Sequence, residues 1–173
     1  ILSFTAILIS VNWTGFILSV NLNKVQDAAM GYYLTPLISI GLGYFFLNEK
    51  ISSLKLLSVL IMISSMIYLI YTLNTIPFLA MLIGTTWGIY GLLRKQIKVS
   101  SEIGLLYESG FITLMAAPYL IYLHYYDLGF FLNNSFQTSA LLILTGAVTI
   151  FPLFFFNLGI KFIPLSFAGV IFY

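Results

Sequence analysis

The stretch LLSVLIMISSMIYLI, residues 56–70, carries no charged side chain and no alternation of polar with apolar positions. A strand of a membrane barrel alternates over about ten residues, so this run reads as a helix. Extended to 54–73, it reaches the ~20 residues that a helix rising 1.5 Å per residue needs to cross a ~30 Å hydrocarbon core. Similar runs lie on either side. Residues 1–22, 28–47, 77–93, 104–126 and 138–159 make five more spans, and a further one begins at 163. Spans this dense leave loops too short for a soluble domain.

Composition agrees. Of 173 residues, 61% are hydrophobic and 7% charged, with a mean hydropathy of +1.06. Soluble domains carry roughly 25% charged residues, and so few charges cannot make a water-facing surface. The expected class is an all-α integral membrane protein, a polytopic helix bundle whose main partner is the lipid bilayer. The absence of cysteine excludes disulfides and thiolate metal sites. A net charge of +2 without a basic patch argues against nucleic acid as a partner. No cofactor motif or metal-ligand cluster stands out, so neither is expected. Ile1 and Tyr173 both lie inside apolar runs, and the chain reads as an internal stretch of a longer bundle. The first span lacks the basic start and small-residue cleavage site of a signal peptide.

Turn residues punctuate the spans. Lys24–Asp27 divides the first two, and Asn48 suits a left-handed cap after the second. Asn74 or Thr75 with Pro77 marks the start of the fourth, and Pro164 that of the last. Asp127–Thr138 is the longest loop. With the first span starting inside, the inner loops hold Lys50, Lys55, Arg94, Lys95, Lys98 and Lys161, and the outer loops only Lys24. That asymmetry sets the orientation. Tyr122, Tyr125, Tyr126, Phe130 and Phe131 then mark the outer interface.

Shifted on itself by 138 residues, the chain aligns Phe16 with Phe154, Gly31 with Gly169 and Trp13 with Phe151. The paired spans run in opposite directions, as in transporters built from inverted repeats. Several stretches then carry a family resemblance: Asn12-Trp13, Gly31-Tyr32-Tyr33-Leu34-Thr35-Pro36-Leu37, Phe46-Leu47-Asn48-Glu49-Lys50 and Tyr90-Gly91-Leu92-Leu93-Arg94-Lys95. Further along come Glu108, Val148-Thr149 with Pro152-Leu153, and Leu165-Ser166 leading to Gly169. Over essentially its whole length the chain resembles the RarD proteins, bacterial inner-membrane members of the EamA-type drug/metabolite transporter superfamily. The resemblance implies ten helices in two inverted five-helix repeats, of which this chain holds helices three to eight and the start of nine. Residues 1–73 would then be the last three helices of the first repeat, and 74–173 the first helices of the second. Asn48 departs from the glycine usual in the family, and both residues tolerate a left-handed cap. The family's association by name with chloramphenicol implies efflux, and polar residues that are few and mostly uncharged favour amphipathic organic solutes, such as amino-acid-like metabolites or drugs, over inorganic ions.

Glu108 is the leading functional candidate, about five residues into its span. Intramembrane carboxylates usually face a bundle interior or a wet cavity. An apolar surrounding penalises the charged form, which makes Glu108 the candidate for proton coupling. The alternative is a side chain reaching the near interface to pair with Lys95 or Lys98. Thr5, Asn12 and Ser19 recur every seven residues and give span one a polar face, which must meet other helices or water. Asn12 and Trp13 therefore read either as a substrate-binding wall, with Trp13 stacking on a flat or cationic ligand, or as interhelical packing. Tyr33, Trp87, Tyr90 and Asn157 complete the candidate substrate-binding set. Tyr32 reads equally as a belt residue, and His124 as one near the outer boundary. Pro36, Pro118 and Pro152 each free a backbone carbonyl, and Thr149 and Asn157 are expected to form a polar patch around Pro152. Gly84 and Gly88 form a GxxxG pair suited to close packing. Arg94-Lys95 reads as a topology anchor, and Glu49 with Lys50 as an exposed pair.

These features favour a secondary transporter of small organic solutes working by alternating access. An intramembrane enzyme is disfavoured, because H-E-x-x-H, G-x-S-x-G and cysteine are all absent, and no catalytic residue is assigned. A channel would want a ring of charged or polar side chains. A non-transporting structural subunit is the remaining alternative. The oligomeric state is open.

Overall fold

The computed structural model describes residues 1–73, 77–132 and 135–171, and among them finds helices and no strand. Seven helices follow in order: α1 (Leu2–Asn21), α2 (Val25–Leu47), α3 (Ser53–Leu73), α4 (Phe78–Gln96), α5 (Ser101–Tyr125), α6 (Phe136–Gly159) and α7 (Leu165–Val170). Each expected span has its helix. α2 begins three residues early and α4 runs three residues late. Asn74 and Thr75 lie outside the described residues. Ser100 and Ser135 cap α5 and α6, their hydroxyls accepting from the amides of Ile103 and Thr138, a favoured use of serine at a helix start.

α1, α2, α3, α5 and α6 are long and apolar enough to cross a membrane, and the chain is a multi-pass membrane protein. α4 is 19 residues long but is not among these five. Its place in the bundle explains why. It is the central helix, packed against α1, α2, α6 and α7, and the glycines, threonines and terminal Arg94-Lys95-Gln96 that lower its hydropathy suit a helix facing protein on most sides. α3 is the opposite case: none of its apolar span is buried, so its surface is free for lipid or other helices.

The α2–α4 seam rests on small residues. Side-chain β-carbons added at Gly31 or Gly84 would come within 2.8 Å of Ile83 or Leu34, and one at Gly88 within 2.6 Å of Ile38. The GxxxG pair is thus a packing device, as its spacing suggests. Without a hydrophobic force between helices in lipid, such close approach supplies the dispersion that holds them. Pro36 is buried in the same helix, under Gly169 of α7, whose β-carbon would meet its Cα at 3.0 Å. That proline therefore serves α2–α7 packing.

One end of the bundle gathers its basic residues. Lys55 donates to Ser166 at 2.9 Å, Lys95 to the carbonyls of Ile160 (3.0 Å) and Ile163, and Lys161 to the carbonyl of Val99. These bonds tie the helix ends and loops together at that end.

Glu49 corrects an expectation. It does not form an exposed pair with Lys50; it caps α7. Asn48 takes the left-handed conformation (φ 53°) as expected, and the amide of Glu49 returns to the Gly43 carbonyl at 3.0 Å. Its carboxylate then accepts from the amides of Leu165 (2.6 Å) and Ser166 (3.0 Å). Gly43 leaves the room, since a β-carbon there would sit 2.7 Å from Glu49 Oε2. Partial burial pushes the carboxyl up, but the hydrogen bonds from Ser166 and Leu165 and the charge of Lys95 outweigh it, so it lies below its ordinary value of 4.5. A depressed carboxyl contributes stability that is complete above its unfolded value and lost as pH falls through the folded one. Glu49→Gln should therefore lose about 1 kcal/mol at neutral pH. The gap to wild type in thermal unfolding should close below pH 4.5, and a gap that persists into acid would contradict this account.

Candidate functional site

The polar stripe of α1 turns inward. Thr5 and Ser19 are fully buried and Asn12 is 4% exposed. Asn12 Nδ2 donates to the Ile83 carbonyl at 2.8 Å and to Thr86 Oγ1 at 3.0 Å, fastening α1 to α4. That is the interhelical role weighed against a cavity wall. Thr5, two turns earlier, donates to Glu108 Oε1 at 2.5 Å.

Glu108 is the hub. It is 2% exposed and seven residues beyond Ser101, about 10 Å along α5. Its second oxygen accepts from Tyr90 at 3.1 Å, and Tyr90 in turn accepts from Asn157 Nδ2 at 2.8 Å. Side chains from α1 and α4 thus meet at one carboxylate on α5, and Asn157 of α6 joins them through Tyr90. Its charge partner is neither Lys95 nor Lys98 but Arg94, whose Nη1 lies 3.7 Å from Oε1. The pair is buried on both sides, so it is screened far less than a surface bridge. The separation exceeds that of a charge-assisted hydrogen bond, which leaves the two groups coupled by charge more than by direct bonding.

Arg94 is accordingly not an interfacial anchor. It is 1% exposed, and its Nη2 donates to the Ser101 carbonyl at 3.3 Å. The guanidinium lies across Gly104, where a β-carbon would stand 2.8 Å from Cζ. Ser101, Gly104 and Glu108 share one face of α5 at helical spacing, and the middle position has no side chain. A small-small-acid face following a helix that ends in arginine was the signal available in sequence, and the adjacent Lys95 masked it.

The aromatic candidates divide. Trp87 packs against Tyr90 with ring centroids 5.6 Å apart and against Phe156 at 5.2 Å. Trp13 packs against the same core of Leu8, Ile9, Tyr90 and Leu153. Tyr33 is 58% exposed. Tyr32 is exposed with its ring edge-on to Phe16, and His124 is exposed near the end of α5. The patch expected around Pro152 does not form. Thr149 and Pro152 are exposed, Thr149 bonds the Thr145 carbonyl, and Asn157 is fully buried. Five residues of helix turn Asn157 about 140° away from Pro152, so the two cannot share a face.

An open groove of about 340 Å³ runs between α6 and α7, past Phe155, Phe156, Gly159 and Ile163. Its lining is apolar, and Phe156 stands between it and the Trp87–Tyr90 pair.

No family model and no solved structure matches the chain. Curated proteins do. An uncharacterized transporter of Vibrio cholerae is 36% identical over 169 residues, covering 98% of this chain and 56% of that protein. The uncharacterized transporter YojE of Bacillus subtilis is 37% identical over 173 residues, 99% of this chain and 57% of its own length. Protein RarD of Escherichia coli is 32% identical over 168 residues, with 97% and 57% covered. The chain therefore spans a little over half the length of these relatives. With the similarity running through almost every residue of a multi-pass helical bundle, this chain belongs to the RarD family.

Proposed function

We propose that this chain is part of a secondary transporter that moves small organic solutes across the bacterial inner membrane by alternating access, with Glu108 as its proton-coupling group. The reading rests on the buried Thr5–Glu108–Tyr90–Asn157 network. Ionisable groups are costly inside a membrane and mark solute or ion pathways. If the two inverted repeats divide between residues 73 and 74, Thr5 belongs to the first and the other three to the second. The Thr5–Glu108 bond would then join the repeats, and rocking of one against the other must break and remake it. The names of the relatives agree with transport and offer no catalytic alternative. A more distant Pseudomonas aeruginosa protein, 22% identical over 119 residues, is named chloramphenicol-sensitive protein RarD, which puts chloramphenicol among the solutes to test.

The test is thermal unfolding of the full-length protein against a panel of metabolites and antibiotics. A bound solute at 100 times its dissociation constant stabilises by about 2.7 kcal/mol. Trp13→Ala should weaken that binding, because the ring flanks the Tyr90 core; wild-type affinity with a lower melting temperature would mark Trp13 as packing only. Glu108→Gln should fold and bind yet lose the pH dependence of transport. PH dependence equal to wild type would reject proton coupling through this residue.

A further inference from the structure

Among the described residues, four buried polar atoms around the network lack a hydrogen-bond partner: Arg94 Nε, Arg94 Nη1, Ser101 Oγ and Asn157 Oδ1. Three of the four can donate, and one side chain carries a full positive charge. Buried polar groups in folded proteins are nearly always satisfied, and unpaired donors on and beside a guanidinium suit a partner with oxygen acceptors and negative charge. The network joins an aromatic cluster: Tyr90, which donates to Glu108, packs against Trp87, and Trp87 against Phe156.

We propose that Arg94 binds the negatively charged group of an aromatic organic anion, and does so only when Glu108 is protonated, so that anion and proton cross together. The inference rests on the transporter reading and names its substrate class. The argument is charge balance. With Glu108 ionised and no solute bound, the Arg94–Glu108 pair is neutral. With Glu108 protonated and an anion on Arg94, the site is neutral again. A proton without the anion leaves a bare buried cation, and an anion without the proton leaves a net negative site. Both half-loaded states carry an uncompensated charge that is expensive in a low-dielectric interior. Only the empty and doubly loaded states are suited to reorientation, which is the condition for coupled movement. Among the described residues, the charged and titratable groups facing Glu108 are Arg94 and Tyr90, both from α4; Thr5 from α1 donates to it, and Asn157 from α6 bonds Tyr90, neither titrating. Co-movement of this kind runs inward under a proton gradient directed into the cell, opposite to the efflux that the family resemblance implies.

The experiment measures thermal stabilisation of the full-length protein by benzenesulfonate, an aromatic anion that stays ionised at every pH used, with benzenesulfonamide as its neutral counterpart and chloride at equal ionic strength as control. In wild type, apparent affinity for benzenesulfonate should rise as pH falls, with about tenfold per unit as the limit for one linked proton. Glu108→Gln should bind it tightly at all pH values, and Arg94→Gln at none. Independently of any ligand, the double variant Arg94→Gln/Glu108→Gln should melt above Glu108→Gln alone, because it removes the bare cation. Equal stabilisation by anion and amide, or a double variant no more stable than the single one, would overturn the inference and leave the transporter reading standing. No stabilisation by either compound would also overturn it, and together with silence across the wider solute panel would count against both.

Discussion

Gly84→Val should cost the bundle about 2–3 kcal/mol, at the upper end of what overpacking a close contact usually does. The β-carbon alone would stand 2.8 Å from the Leu34 β-carbon and 2.9 Å from the Gly31 carbonyl oxygen. A flexible side chain can give way to such an intrusion, but a helix backbone cannot. The two axes must therefore separate, and separation loosens the contacts of Gly31 and Gly88 along the same seam. Lipid offers no compensating drive to push the helices back together. Gly110→Val is the control, because a β-carbon at Gly110 meets nothing within 4 Å, and its cost should stay near the ±0.5 kcal/mol of an exposed substitution. Unfolding both variants in one detergent compares them directly. A Gly84→Val protein that melts with wild type would mean that α2 and α4 are not held by close backbone approach.

Periodicity and length carried the helices, because a membrane leaves few ways to satisfy a backbone. The run at 56–70 can only be a helix, and its flanks follow by the same arithmetic. The inward face of α1 was also legible, since Thr5, Asn12 and Ser19 at intervals of seven must share one side. Charge pairing was harder to read. Glu108 announces itself by its position inside a span, whereas its partner depends on where α4 ends relative to α5, and the loop at 97–100 does not disclose that. Arg94 and Lys95 are adjacent and chemically alike, yet one step around a helix turns Arg94 onto Gly104 and sends Lys95 to the α6–α7 carbonyls. Glu49 was misjudged for a related reason. Its partners, the amides of Leu165 and Ser166, lie more than a hundred residues away, and no local pattern names a backbone donor at that distance.

Arg94→Ala should cost about 3–5 kcal/mol, the usual consequence of removing one member of a buried ion pair. Glu108 would keep its hydroxyl donors from Thr5 and Tyr90 but lose the only opposite charge in contact with it among the described residues. Gly104→Ala reaches the same pair from the other side. Its new methyl group would occupy the space of the guanidinium, which at 1% exposure cannot swing out to solvent. A cost of about 2–3 kcal/mol follows from the intrusion and the displaced charge together. Because both substitutions act on one guanidinium, their effects should not add: once Arg94 is gone, the methyl group at 104 fills vacated space, and the double variant should be no less stable than Arg94→Ala alone. Equilibrium unfolding of the two single variants and the double variant closes that cycle, with a coupling of at least 1 kcal/mol expected for residues in direct contact. Additive losses would show that Arg94 does not lie on Gly104, and would remove the seat that brings it to Glu108.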